Sequence, residues 1–180
     1  EGSGMLVIEK ESHAINRGAN ILAELAGYGA TDDAFHITQP SIGGIGALKA
    51  MERATLDATL NFDEIDYINA HGTSTPFNDK NESAAIKSLF KEHSKNLKVS
   101  STKSMTGHLL GAAGGIEAVA SVKTIMEQVI PPTINYNDPD PECTLDYVPN
   151  LSQRHNVNAI LSNTFGFGGH NAVICIRKYI

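Results

Sequence analysis

Short apolar runs too brief for helices recur along this chain between longer stretches of helical apolar spacing, and that alternation restricts it to layered α/β architectures. Strands are predicted over residues 5–9, 21–29, 65–70 and 99–101. A last pair, 159–164 and 172–177, brackets a glycine-rich turn, Phe165-Gly166-Phe167-Gly168-Gly169-His170. Helices are predicted over 42–60, where Ile45, Leu48, Ala50 and Met51 cluster, and over 78–90, opened by the capping residues Asn78 and Asp79. A third starts at Gly114 or Gly115 and reaches about Val129. Its Ile116, Val119, Val122, Ile125, Met126 and Val129 fall on one side, and Pro131 and Pro132 stop it. Residues 131–149 read as a proline-rich loop, and no internal repeat is visible.

Composition then removes several function classes. With 180 residues, 41% apolar and 19% charged, the chain suits one globular domain with its own core. The formal charge of -6 argues against a nucleic-acid partner, which would ask for a concentrated basic surface. Lys87, Lys91 and Lys95 recur every four residues and read as a solvated helix face. No apolar run reaches the roughly eighteen residues of a membrane span, and no basic-then-apolar leader is visible, so a soluble, non-secreted protein without a membrane partner is expected. Cys143 and Cys175 form neither a disulfide framework nor a metal-ligand spacing, which points to a reducing compartment. Because it opens on Glu1-Gly2-Ser3-Gly4 without an initiator Met, the chain is expected to be a piece of something longer.

Three segments fall at predicted strand ends, where open α/β sheets place ligands and reactive groups. In Asn69-Ala70-His71-Gly72-Thr73-Ser74-Thr75-Pro76, an imidazole is followed by a glycine and three hydroxyls that can bond an extended amide ligand. The run 100–115 sets Lys103 and His108 five residues apart before a stretch of very small residues, which let backbone approach backbone. The Phe-Gly-Phe-Gly-Gly turn can aim amide N–H groups at a ligand oxygen, as an oxyanion hole requires. A lone histidine is more often structural than catalytic, but two histidines, a lysine and a glycine turn at strand ends are hard to explain as packing. His13, His36, His93 and His155 lack such settings and read as surface residues. The G-x-S-x-G elbow, the phosphate loop and the H-E-x-x-H helix are all absent, and Gly44-Ile45-Gly46 lacks the third glycine of a dinucleotide fingerprint.

Taken together, HGTSTP, KSMTGHLLGAAGG and FGFGG resemble the β-ketoacyl-acyl carrier protein synthases of the thiolase-like superfamily, particularly the type II enzymes of fatty-acid synthesis. Glu1-Gly2-Ser3-Gly4 and Asp33-Ala34-Phe35-His36-Ile37-Thr38 extend the resemblance over nearly the whole chain. It implies a thiolase-like layered α/β domain, a mixed sheet packed between helices, forming one half of the duplicated family fold. Residues 1–180 would be the carboxy-terminal domain, with 1–10 resembling the last strand of the missing amino-terminal half.

The implied activity is a decarboxylative Claisen condensation of malonyl-acyl carrier protein with an acyl group held on a cysteine. By resemblance His71 and His108 stabilise the enolate, Lys103 organises the site through a charged hydrogen bond, for which Glu117 is a candidate partner, and Phe167 supplies an oxyanion-hole N–H and gates the acyl pocket. Glu117 could equally be a surface carboxylate. Thr73 and Thr75 would hold the phosphopantetheine arm, with Phe165 and Gly168 also in substrate binding. Asn69, Glu117, Ser162 and Asn163 resemble a monovalent-cation site of some relatives. No cofactor is implied beyond the phosphopantetheine of acyl carrier protein, and the implied partners are that carrier, the amino-terminal half and a second copy in a homodimer. The compartment would be bacterial cytoplasm or an organellar matrix.

Phe77-Asn78 and His170 depart from the family pattern without removing a catalytic group. The nucleophilic cysteine belongs to the amino-terminal half, so this chain alone is expected to be inactive; neither Cys143 nor Cys175 shows an activating helix start. Two alternatives stay open: a non-catalytic partner that binds acyl carrier protein or sets chain length, and a degradative thiolase-type enzyme. The second is disfavoured because thiolases use a cysteine near the carboxy terminus in place of one of these histidines, and the corresponding glycine turn here has none.

Overall fold

The structure, a computed structural model, describes residues 1–180. Its centre is a five-stranded mixed sheet in the order β1-β7-β6-β2-β3. The strands are β1 (Glu24–Asp32), β2 (Tyr67–Asn69), β3 (Lys98–Ser100), β6 (Ala159–Phe165) and β7 (His170–Arg177). β6 and β7 form the hairpin around the glycine turn and β1 pairs antiparallel with β7, whereas β2 runs parallel to both β3 and β6. A two-stranded ribbon, β4 (Val129–Ile130) with β5 (Gln153–Arg154), lies apart.

Strand alternation divides the core between two helical layers. Ile68, Ala159, Leu161, Val173 and Cys175 face α2 (Ile45–Asp57) and α3 (Pro76–Phe90), sharing a cluster with Ala50, Met51, Ala54, Ile86 and Leu89. Tyr67, Ile160 and Ile176 point to the opposite face, where α5 (Ala113–Glu127) supplies Ala118 and Ile125. Two shorter helices, α1 (Glu11–Asn16) and α4 (Lys103–Thr106), complete the fold. None of the helices is long and apolar enough to cross a membrane.

Several boundaries differ from expectation for identifiable reasons. Residues 5–9 form no strand: they find no strand partner, and Met5 and Val7 are 86% and 91% exposed. α2 starts only at Ile45 because Gly43 and Gly44 take left-handed φ values of 77° and 62°. α3 begins at Pro76 rather than Asn78; proline suits the first helical position, where its missing N–H has no partner to lose. Asn78 is instead buried and hydrogen-bonds Glu82 and Asp79. His93 is half-buried, with Nε2 2.8 Å from the Ile65 carbonyl, so it is not a free surface group.

α5 packs through a stripe of mostly small residues. It lays Ala113, Glu117, Ala118, Ser121, Thr124 and Ile125 on the sheet, while Ile116, Val119 and Val122 are half-buried and Met126 is 45% exposed. Small side chains on the contact stripe allow a close approach that larger apolar ones would block. β1 shows the same constraint against α2. A Cβ on Gly29 would lie 2.0 Å from the Ala50 carbonyl oxygen, so Gly29→Ala should cost about 1–3 kcal/mol through overpacking. Urea unfolding measures this, and a loss below about 0.5 kcal/mol, the usual range of a surface substitution, would contradict the close packing.

Candidate active site

Three strand ends meet at one edge of the sheet. β2 and β3 are parallel neighbours, and β6 is the parallel neighbour of β2 on its other side, so the segments that follow them emerge together. This brings His71, Lys103 and the glycine turn to the same place. Ser101 Oγ donates to the Gly72 carbonyl at 2.7 Å and ties the second segment to the first.

His71 is 5% exposed. Its ring lies 5.5 Å from that of His108, nearly perpendicular at 85°, and 5.6 Å from the Phe165 ring. Burial, reinforced by the positive charges of Lys103 and His108, pushes the His71 imidazole down to about 3, so it is neutral at working pH. His108 is exposed, and it too is lowered, by its partial burial and then by Lys103. The Leu110 N–H donates to His108 Nδ1 at 3.1 Å, which places the proton of the neutral ring on Nε2. That nitrogen is therefore a donor. His71 Nδ1 is buried without a hydrogen-bond partner in the protein.

Lys103 pairs with Glu117, fourteen residues away on α5, and both side chains are at least nine-tenths buried. The reading of Glu117 as a surface carboxylate is thereby corrected. Burial pushes its carboxyl up and the Lys103 ammonium opposes that rise. Asn69, on the same sheet face as Tyr67, reaches the Glu117 carbonyl through Nδ2 at 3.4 Å. Asn69 Oδ1, Glu117 Oε2 and Asn163 Oδ1 remain buried without donors, oxygen atoms of the kind hard cations accept. Asn69 and Glu117 fit such a cation; Asn163 points to the other sheet face, toward Met51 and Glu82.

Thr73 and Thr75 set their hydroxyls 2.9 Å apart on the wall of a cleft of about 940 Å³ that Lys103 and His108 also line. Its outer wall comes from the proline-rich loop, including Ile134, Asn135 and Tyr136, residues that carried no functional signal in the sequence. The loop is anchored by Ser104 Oγ, which accepts from Ile134 N at 3.0 Å, and by Thr133 Oγ1, which accepts from Ser101 N at 3.1 Å.

The glycine turn is less open than its composition suggests. Gly168, at φ 85°, donates its N–H to the Ile37 carbonyl at 2.7 Å, and Gly166 donates to His170 O, also at 2.7 Å. Gly168 therefore shapes the turn, its amide being engaged within the protein. Phe165 is half-buried beside His71, while Phe167 is 75% exposed. Cys143 lines the cleft, and Cys175 is fully buried in β7, its thiol pushed up to about 12 by burial.

Sequence reasoning missed Glu82. It is 4% exposed and accepts the N–H groups of both His71 and Gly72 at 2.9 Å. A carboxylate in helical register with Asn78, Ile86 and Leu89 on the buried face of α3 was the available signal.

The model of the β-ketoacyl synthase carboxy-terminal domain matches residues 22–137. The 3-oxoacyl-[acyl-carrier-protein] synthase 2 of Synechocystis sp. is 55% identical over 179 residues, covering 99% of this chain and 43% of that protein. Its counterpart in Staphylococcus aureus matches with the same identity and coverage. Among solved structures, a type II PKS acyl carrier protein in complex with its ketosynthase bound to the hexaketide superposes with TM-score 0.93 at 42% identity, covering 96% of this chain and 42% of that one. A β-ketoacyl synthase from Burkholderia phymatum gives TM-score 0.89 at 38% identity, over 96% and 41% of the two chains. The chain thus spans under half the length of the relatives it matches. With a thiolase-like mixed sheet between helices and these matches, the chain belongs to the β-ketoacyl synthase family, as a carboxy-terminal domain of the synthase 2 type.

Proposed function

We propose that this chain supplies the decarboxylating half of a fatty-acid condensing enzyme. The observation that carries the reading is the pair of imidazoles, 5.5 Å apart, of which His108 lines the cleft that also holds Thr73 and Thr75, and His71 lies buried behind it. A malonyl thioester threaded along that cleft would present its carbonyl oxygen to the ring N–H groups. As carbon dioxide leaves, negative charge gathers on that oxygen, and donors already in place stabilise it without reorganisation. Neutral rings suit the task because each must keep an N–H and neither needs to take up a proton. The resulting carbanion attacks an acyl thioester on a cysteine that the amino-terminal half contributes; the Phe167 N–H receives the second oxyanion, which collapses as the C–S bond breaks and the cysteine thiolate leaves.

Lys103 and Glu117 lock the floor of the site as an ion pair. If the monovalent cation of some relatives is present, Asn69 and Glu117 are the residues that would hold it. Acyl carrier protein is the partner that delivers both substrates, and the enzyme works as a homodimer of complete subunits. Cys143 and Cys175, neither of them in a disulfide, favour a reducing compartment, bacterial cytoplasm or an organellar matrix. A non-catalytic chain-length partner would have no use for the His71–His108 pair, which is why that alternative ranks second.

Intact-mass analysis after incubation with an acyl-acyl carrier protein tests where the nucleophile lies. The chain by itself should show no acyl adduct, and a synthase of full family length carrying this sequence should show one acyl group per subunit. An adduct on the chain that disappears when Cys143 and Cys175 are alkylated would overturn the assignment.

A further inference from the structure

The loop that closes the cleft is held in place at a conformational cost. Three of its residues that are not glycine take left-handed backbone angles, Asn135 at φ 61°, Val148 at 49° and Asn150 at 61°. For a fully buried, β-branched residue such as Val148 that is an outlier. Such strain persists only where the surroundings impose it, and it gathers at sites that clamp ligands. Here hydrogen bonds impose it. Asp146, itself paired with Lys98, accepts the Val148 N–H through Oδ1 at 3.0 Å. The Val148 carbonyl accepts from Thr133 N at 3.0 Å, and the Thr133 carbonyl accepts from Asn150 N at 2.9 Å. The returning chain is thereby laid beside residues 133–136, the stretch that lines the cleft.

Beyond Ile134 the grip narrows to one side chain. Between Asn135 and Pro139 the only backbone groups that hydrogen-bond within the protein are the N–H and C=O of Tyr136, and Asn150 takes both. Its Oδ1 accepts from Tyr136 N at 3.0 Å, and its Nδ2 donates to Tyr136 O at 2.9 Å. An amide side chain used in this way stands in for a neighbouring strand and fixes where the Tyr136 ring goes. That ring is half-buried, 5.9 Å from the Tyr147 ring, and lines the same cleft as Thr73 and Thr75. The cleft thus offers hydroxyls on one wall and, with Ile134, apolar surface on the other. A pantetheine arm carries amides along its length and a pair of methyl groups on one carbon, so it can use both. Resting on the proposed handling of malonyl-acyl carrier protein, we infer that Tyr136 binds the apolar part of the carrier's arm and that Asn150 is the positioning residue that holds it there.

Asn150→Gly isolates the grip. Glycine accepts the left-handed φ without strain but removes both bonds, and Asn150 is exposed, so no core cavity opens. Losing an interaction shared by ground state and transition state raises KM and leaves kcat alone. In a synthase of full family length carrying this sequence, Tyr136→Ala should raise KM for malonyl-acyl carrier protein about tenfold, as for partial loss of one large apolar contact. N150G should raise it about threefold, the effect of a modest hydrogen bond. Once Tyr136 is alanine, N150G should add nothing. Malonyl-pantetheine, the arm without its protein, should show the same increases.

A control at His108 keeps the two readings apart. If His108→Ala leaves decarboxylation intact, the functional reading falls and takes this inference with it. If H108A abolishes decarboxylation while Y136A and N150G leave KM unchanged, only this inference falls. A lower kcat at unchanged KM would put the loop in the chemical step, and an increase confined to the protein-bound substrate would put Tyr136 against the carrier's surface. Either result overturns the assignment, as does an N150G effect of equal size with and without the Tyr136 ring. Should Y136A fail to fold, N150G decides alone: a folded N150G with wild-type KM for malonyl-pantetheine would sink the proposal.

Discussion

His108→Ala is expected to lower malonyl decarboxylation by about 10²- to 10³-fold, the usual cost of removing one oxyanion-hole donor. The reason lies in three observations. Leu110 N–H occupies Nδ1, so Nε2 carries the proton and is free to donate. The ring sits on the cleft wall, 5.5 Å from that of His71. It is also solvent-exposed, so its removal opens no core cavity and stability should hardly change. Carbon dioxide release from malonyl-acyl carrier protein by the full-length synthase, with the unfolding temperature measured alongside, separates chemistry from folding. Because burial holds His71 at about 3 and His108 is also lowered, the wild-type rate should show no acidic limb from His71 between pH 5 and 8. An unchanged rate in H108A would remove the histidine pair from the mechanism.

The second large effect is expected at the ion pair beneath them. Lys103→Met or Glu117→Leu, made singly, should cost about 3–5 kcal/mol, because each leaves a charge buried without its partner. Side-chain exposures of 5% and 3% mean that water screens little of this loss. For a domain of this size the midpoint temperature should fall by about 6–20 °C. The double variant should recover most of that stability, since two apolar groups of similar volume replace two desolvated charges. It should not recover activity, because Lys103 lines the cleft. Calorimetry on the four forms provides the coupling energy, and additive losses would show that the two side chains do not act as a pair.

How much of this site could be read from residue order is clearest from the residues themselves. His71, Lys103, His108 and the glycine turn stood out because polar groups and glycines at strand ends are poor packing material. Glu82 did not, because its importance depends on two orphaned amides eleven and ten residues away that become its neighbours only when α3 packs beside β2. Glu117 was ambiguous on similar grounds: spacing allows a pair with Lys103, but only the docking of α5 makes it buried. The loop wall around Tyr136 had no local signature at all.

Local chemistry in the sequence determined the strand and helix alternation, the glycine hairpin, the stop at Pro131 and the family motifs, because each rests on dihedral preference or period along the chain. Tertiary structure decided which face of α5 is buried, why residues 5–9 form no strand, and which oxygens receive the amides of His71 and Gly72. Those outcomes depend on partners distant in sequence: an apolar stripe is buried only if something covers it, and a carboxylate accepts two backbone amides only where folding leaves them without another acceptor.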